Sequence, residues 1–553
     1  METLSKEIGK KVILLGNEAI VRAALESGVQ FVSTYPGTPA SEIGNIFYKI
    51  AEDNGVYFEF SVNEKVALEA GIGASFSGLK TLVAMKNFGL NVALDALLPF
   101  AYTGTKGPTV IIVADDPSCH SSAQSEENSR FVANASHIPV LEPSDPQECK
   151  DFVKLAFQIS ERYKIPVIVR TTTRVAHQRM PVILGKLSVP ITFNGRFVKN
   201  PEQFVTLPPR VLEMKKELLD KIARLREFSE KSEINRVEAG NKSKTGIVAS
   251  GVAYLYVKEA LRELNLNLPI LKLGFFYPLP KEKFKNFLKG LDKVLVVEEL
   301  EGYIEEVTFL LAKIANPKIK ISGKNLLPEV GELRPEIVIS AIAKFTNKKI
   351  KTQSWKIRAP RRSPQLCPGC PYWLVISAIK KALRLDSGQA VSDVIFGGEI
   401  GCYMLFSNSP VNLQDYLSCM GSSVGIAHGI IKAAGPASAK GKQKIISFVG
   451  DSSFFHAGIP ALINTVFNRS NPLIIILNNE TTAMTGHQPH PVSVGVDVGI
   501  NIENVVRACG VKNVKTIDPV NQEEFTDTVK EFLEKSDVSV IVAKHPCKFV
   551  EKK

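Results

Sequence analysis

The chain has 553 residues, of which 44% are hydrophobic and 22% charged, with a formal net charge of +12. That length excludes a single core and predicts roughly three or four domains. No apolar run reaches the roughly 18 to 20 residues that span a bilayer, and Met1-Glu-Thr-Leu-Ser-Lys lacks a secretory pattern, so a cytoplasmic protein without a membrane partner is expected. The lysines interleave with glutamates instead of forming a stripe, which argues against nucleic acid. From Lys11 the runs VILLG, FVSTYPG, TLVAMK, TVIIVADD and PVIVRTT alternate with amphipathic segments, among them helices from Asn17 to Gly28 and from Ala40. Strands alternating with helices predict an α/β fold whose parallel sheet is covered on both faces, here over residues 1–185.

Residues 186–244 differ in character. Pro208-Pro209 precedes a charged stretch whose Val211, Met214, Leu218, Ile222 and Leu225 follow helical spacing, a connecting arm packed on a neighbour. The strand pattern returns in GIVASG, PILKLGF and KVLVVEE, a smaller α/β domain over 245–345. Seven basic residues without an acid lie between Lys348 and Arg362, in a linker expected at 346–366; a solvated connector is the bland reading and docking of an acidic electron carrier the sharper one. A last α/β domain, 367–553, contains DVIFGGEIG, a glycine-rich helix start at Gly421-Ser422, KIISFVGD, PLIIILNN and VSVIVAK.

Two constellations in that last domain carry chemistry. The strand IISFVG delivers Gly450-Asp451-Ser452-Ser453 to a helix N-terminus, which places amide N–H groups and a carboxylate where a diphosphate and its metal would sit. The next strand, LIIILNN, brings Asn478-Asn479 to the same edge, and oxygen donors of this kind suit Mg²⁺. The second constellation is Cys367-x-x-Cys370, then Cys402, then Cys547 in His-Pro-Cys. Four thiolates in that order suit an iron–sulfur cluster or, as the structural alternative, zinc. Cys119, Cys149, Cys419 and Cys509 have no paired spacing and read as buried thiols.

Gly450-Asp451-Ser452 followed by Asn478-Asn479 resembles the thiamine diphosphate motif, with Ser452 where a second glycine is usual. The stretch from Gly450 to Asn479-Glu-Thr-Thr-Ala-Met-Thr-Gly-His-Gln-Pro-His-Pro is similar to the large subunit of the indolepyruvate:ferredoxin oxidoreductase family. So are Tyr35-Pro-Gly-Thr38-Pro, Ser61-Val-Asn-Glu64, Ala114-Asp-Asp-Pro-Ser-Cys-His120 and Cys367-Pro-Gly-Cys370. The resemblance implies pyrimidine-binding (1–185) and diphosphate-binding (367–553) thiamine domains around a transketolase C-terminal-like domain (245–345). It implies Mg²⁺ held by Asp451, Asn479 and the backbone of Thr481, with Gly450, Ser452, Ser453, Gly421 and Ser422 around the cofactor. It also implies a 4Fe-4S cluster on Cys367, Cys370, Cys402 and Cys547, and Glu64 as the carboxylate that activates the aminopyrimidine. Glu69 is the rival to Glu64 and is expected on another side of the helix, facing a partner or solvent.

The substrate carboxylate has Thr38 and Arg130 as candidates, Thr38 being equally a turn-stabilising hydroxyl. Among His120, His456, His487 and His490, the pair His487 and His490 lies just after the metal loop and is favoured for proton transfer. The implied reaction turns an arylpyruvate and coenzyme A into an acyl-coenzyme A, CO₂ and reduced ferredoxin, with a small subunit as partner. Members usually continue into a ferredoxin-like tail; here either a short form or a tail carried on a separate protein is expected. A non-oxidative 2-oxoacid decarboxylase, which has no use for the four cysteines, and a non-catalytic subunit are the rival readings.

Overall fold

The structure, a computed structural model, describes every residue except 1, 189–193, 242, 350–359, 361, 386–393, 435–443, 497 and 551–553. It divides into two units, Met1–Ser354 and Trp355–Lys553. The segments expected at 1–185, 186–244 and 245–345 therefore share the first unit. Residues 350–359 and 361 of the expected basic linker lie outside the described residues.

In chain order the first unit has strands β1 (Lys11–Leu15), β2 (Phe31–Thr34), β3 (Tyr57–Phe60), β4 (Thr81–Lys86), β5 (Thr109–Asp115), β6 (Val140–Leu141), β7 (Val167–Thr172), β8 (Arg179–Ile183), β9 (Arg236–Glu238), β10 (Thr245–Ser250), β11 (Ile270–Leu273), β12 (Phe275–Tyr277), β13 (Lys293–Val297) and β14 (Lys320–Ser322). The main sheet has the order β12-β6-β7-β5-β4-β2-β3 and is parallel except at β12. Its inner strands β4, β5 and β7 are buried at every residue, as β-branched runs covered on both faces must be. Helices α1 (Gly16–Glu26), α2 (Ser41–Ile50), α3 (Glu64–Phe76) and α4 (Asn87–Thr103) alternate with the first strands.

The run VILLG, expected to open the parallel sheet, stays out of it. As β1 it pairs antiparallel with β8, and its alternating exposed and buried residues mark a strand covered on one face only. The smaller sheet has the order β14-β13-β10-β11-β9. A single residue, Gly274, separates β11 in this sheet from β12 in the main one, and its N–H is held by Asn235 Oδ1 at 2.9 Å. That crossing makes one body of the first three segments. The arm helix Arg210–Lys231 buries Met214, Leu218, Ile222 and Leu225, the face its spacing predicts.

The second unit holds β15 (Val394–Gly398), β16 (Tyr416–Leu417), β17 (Lys444–Gly450), β18 (Leu473–Asn478), β19 (Asn513–Ile517) and β20 (Ser539–Lys544), all parallel in the order β16-β15-β17-β18-β20-β19. Alternate residues of β18 feed two cores: Ile475 and Leu477 join Phe406 and Phe448 on one face, Ile474 and Ile476 join Val449 and Val506 on the other. The carboxyl ends of β17 and β18 thus lie side by side, the edge where open α/β sheets take ligands. Among the described residues no helix is long and apolar enough to cross a membrane.

Candidate active site

In the second unit, Gly450 ends β17 beside Leu477 of β18. Asp451 follows, buried, with Oδ1 accepting the Ser452 N–H at 2.8 Å and Oδ2 accepting the N–H groups of Asn479 at 3.1 Å and Glu480 at 2.9 Å. The Thr481 N–H donates to Asn479 Oδ1 at 3.3 Å. Asp451, Asn479 and Thr481 are therefore gathered in one buried turn whose donors are oxygens, a set that fits Mg²⁺. Nε2 of His490 lies 3.3 Å from Asp451 Oδ2. His487 is exposed with φ +60°, its ring 6.2 Å from that of Phe549; of the two favoured histidines, the structure brings His490 to the carboxylate.

Beyond Asp451 the chain is helical, widens into a π turn at Phe454–Gly458 and continues as the helix Ile459–Phe467. Gly421 packs on that turn. At φ +76° a Cβ there would lie 2.7 Å from the Ala457 carbonyl carbon, so only glycine fits. The Ser422 hydroxyl donates to the Cys419 carbonyl at 2.5 Å and the Ser453 hydroxyl to the Ile400 carbonyl at 3.2 Å. Ser452 Oγ accepts from Thr482 Oγ1 at 3.3 Å.

Sequence reasoning missed Glu399, just past the end of β15. Its fully buried carboxyl accepts from the Gly450 N–H at 3.3 Å, the Gly421 N–H and the Tyr403 hydroxyl, and burial pushes its pKa up to about 7. Glu399 thereby fixes the two glycine turns against each other. The signal was an acid at a strand end in GGEIG, beside the Gly-Asp strand.

The cysteine set assembles at the same edge. Cys370 N–H donates to the Cys367 carbonyl at 3.0 Å, closing the CxxC turn, and Cys547 N–H donates to the Asn479 carbonyl at 3.0 Å. Burial pushes the Cys402 thiol up to about 12, and Cys370, Cys547, Cys367 and Asp451 all press in the same direction. Burial likewise pushes Cys370 up to about 11, with Cys547 and Cys367 adding to it. Cys402 and Cys370 thus feel the charges of other thiols of the set, and Cys402 that of Asp451 as well. Among the described residues no group of three His, Cys, Asp or Glu side chains is arranged to hold one metal ion. A cubane cluster asks for something different, one thiolate for each of its irons.

In the first unit, Glu64 is the first residue of α3, capped by the Asn63 side chain, which accepts the Val66 N–H at 2.8 Å. It is buried, and Gly89 of α4 lies against it: a Cβ at Gly89 would be 2.5 Å from Glu64 Cγ. Glu69 points away, paired with Lys65 at 3.0 Å and half-exposed. Thr38 Oγ1 lies 3.2 Å from Ser41 Oγ in the turn between β2 and α2.

Arg130 is not a free cation within the first unit. Its guanidinium is 1% exposed and holds Glu142 through Nε at 2.9 Å and Nη2 at 2.5 Å, Glu298 through Nη1 at 3.1 Å, and Ser250 Oγ at 2.9 Å. His120 is exposed, 3.3 Å from Glu332. His456 is buried within the π turn.

Residues 22–239 match the family described as pyruvate flavodoxin/ferredoxin oxidoreductase, thiamine diP-binding; residues 235–351 match the indolepyruvate oxidoreductase domain; residues 399–543 match the thiamine pyrophosphate enzyme C-terminal TPP binding domain. The chain is 46% identical to indolepyruvate oxidoreductase subunit IorA of Methanothermobacter marburgensis over 98% of its own length and 88% of that protein. Against the subunit IorA of Pyrococcus horikoshii the identity is 43%, over 98% of this chain and 86% of the relative. The fold is similar to that of the 2-oxoglutarate:ferredoxin oxidoreductase of Magnetococcus marinus, solved with 2-oxoglutarate, coenzyme A and succinyl-CoA bound. There the TM-score is 0.50 at 19% identity, covering 60% of this chain and 65% of that one.

Proposed function

Because this chain belongs to the family of indolepyruvate oxidoreductase subunit IorA, we propose that with a partner subunit it oxidatively decarboxylates an arylpyruvate. Arylpyruvate and coenzyme A become arylacetyl-coenzyme A and CO₂, and the two electrons released pass singly through a 4Fe-4S cluster to ferredoxin. Coenzyme A as acyl acceptor is supported by its presence in the oxidoreductase of similar fold.

Thiamine diphosphate, when bound, supplies the electron sink that a 2-oxo acid needs to lose CO₂. Asp451, Asn479 and the Thr481 carbonyl would hold its Mg²⁺, and the helical run from Asp451 would meet its diphosphate with N–H groups. Glu64, a buried carboxylate at a helix start, would accept a hydrogen bond from the aminopyrimidine. His490, beside Asp451, is the residue for proton transfer at the metal end; the exposed His487 is left at the rim. Gly450, Gly421, Ser422, Ser452 and Ser453 shape the floor.

The observation that carries the reading is the junction of metal loop and cysteine set. Cys547 is tied by its amide to the Asn479 carbonyl, and the Cys402 thiol feels the Asp451 charge. A decarboxylase that moves no electrons has no need of that junction. The test is anaerobic co-purification with the partner subunit, followed by iron and sulfide determination and assay of arylpyruvate- and coenzyme A-dependent viologen reduction. About four irons per chain with dye reduction support the proposal; iron-free protein that releases an aldehyde and CO₂ overturns it.

A further inference from the structure

One polar cluster in the first unit remains unused by this reading. It lies at the carboxyl ends of β2, β4 and β5, around the last residue of β4, Lys86. That side chain is 10% exposed, unusual for a lysine. Of its three donors, one goes to the Ser121 carbonyl at 2.8 Å. The nearest carboxylate oxygen among its ion pairs, Asp116 Oδ2, is 3.9 Å away and already accepts the Ser121 N–H at 2.7 Å and the Ser122 hydroxyl at 2.6 Å. Lys86 is thus held by one hydrogen bond, a long ion pair with a carboxylate it shares with Ser121 and Ser122, and the Phe88 ring 5.0 Å from its Nζ.

The next residue, Asn87, opens the 17-residue helix α4. It is 1% exposed, and neither its Nδ2 nor its Oδ1 has a hydrogen-bond partner. The helix has no side-chain cap, so its first N–H groups add positive potential at the same point. A buried amide with both ends unsatisfied is costly unless a ligand completes it. The cluster also adjoins Thr38, a candidate from the sequence for the substrate carboxylate, and Glu64. A Cβ on Gly37, next to Thr38, would come within 3.0 Å of Lys86 Cβ, and Gly89 of the same helix start lies against Glu64.

We propose that Lys86 and Asn87 bind the carboxylate of the 2-oxo acid, the task that Arg130, locked between Glu142 and Glu298, cannot perform. This assignment rests on the 2-oxo acid reading above. Burial pulls the Lys86 ammonium down to about 8, opposed by Asp116, Cys119, Glu127 and Glu64, which all favour the charged form. The cation that recognises the substrate is therefore lost as pH rises through about 8, and kcat/KM for the oxo acid falls with it.

The experiment uses the complex with its partner subunit and the variants Lys86→Gln and Lys86→Arg. KM for phenylpyruvate is expected to rise roughly 10- to 100-fold in Lys86→Gln while kcat changes far less, because a charge-assisted contact to the ground-state carboxylate is lost. KM for coenzyme A stays unchanged. Lys86→Arg recovers most of the affinity and removes the fall in kcat/KM between pH 7 and 9. Calorimetric titration with phenyllactate, a non-reacting analogue, reports the same site without turnover. If the wild-type complex binds phenyllactate in a Lys86-dependent way yet oxidises no 2-oxo acid, the functional reading fails and the carboxylate site stands. If Lys86→Gln keeps the wild-type KM and phenyllactate affinity, the assignment is overturned. Should Lys86→Gln not fold, an Asn87→Ala complex that keeps the wild-type KM and phenyllactate affinity overturns it equally.

Discussion

Replacing Arg130 by methionine separates a structural role from a substrate contact. Glu142 follows β6 of the main sheet, whereas Ser250 ends β10 and Glu298 follows β13 of the smaller sheet, so one guanidinium ties both sheets together. The Phe276 ring, 4.9 Å from its Cζ, adds a cation–π contact. Removing one member of a buried ion pair costs about 3–5 kcal/mol because the other charge stays buried. Two features place Arg130→Met at the low end of that range. Arg170 Nη1 remains 3.1 Å from Glu142, and burial already raises the Glu298 pKa, which eases its neutralisation once Arg130 is gone. For a unit spanning Met1–Ser354, a loss of about 3 kcal/mol lowers the melting temperature by roughly 4 °C. Scanning calorimetry of the purified complex reads this directly, and adding Glu298→Gln should restore part of the loss, since residues in one ion-pair network are not additive. An unchanged melting temperature together with a tenfold rise in KM for the oxo acid would refute the reasoning, because Arg130 would then face substrate.

Glu64→Gln is expected to leave melting unchanged within about 0.5 kcal/mol, as a near-isosteric change, while lowering kcat by at least about 10²-fold; full turnover in that variant removes Glu64 from the mechanism. Cys402→Ser should lower iron to well below the wild-type content and abolish arylpyruvate-dependent dye reduction, with thiamine diphosphate still bound, as read by iron analysis and cofactor fluorescence quenching on one sample. His177 contributes a pH dependence. Its hydrogen bond to Glu42, 3.3 Å away, raises its pKa above the usual imidazole value, so its stabilising contribution is complete at pH values below that usual value and is lost as pH rises through the folded one. Melting temperatures measured across that window should decline, and Glu42→Gln should flatten the decline; a slope of the opposite sign contradicts the pairing.

The parts of this fold that were legible in the sequence are those whose physics is local. The runs TLVAMK, TVIIVADD and PVIVRTT carry their burial in their composition, and the arm helix carries it in its spacing. VILLG misled because an apolar run looks alike whether one face or both are covered; its partner β8 lies far along the chain. Strand β12 was hidden for a similar reason, since a break at one glycine within LKLGFFY does not announce a change of sheet.

At the site, Asp451 and Asn479 were legible because two adjacent parallel strands must present their ends together, and geometry does the rest. Charges behave differently. Whether an arginine meets solvent, substrate or an acid depends on residues that only the tertiary fold delivers, and Glu142 and Glu298 come to Arg130 from separate segments. Lys86 was missed by the mirror image of that error. A lysine closing a strand reads as a solvated terminus, yet with Gly37 on one side and Asn87 on the other it is enclosed, and its enclosure beside a buried amide that has no partner, with only a long ion pair to Asp116, is what marks it as a ligand group.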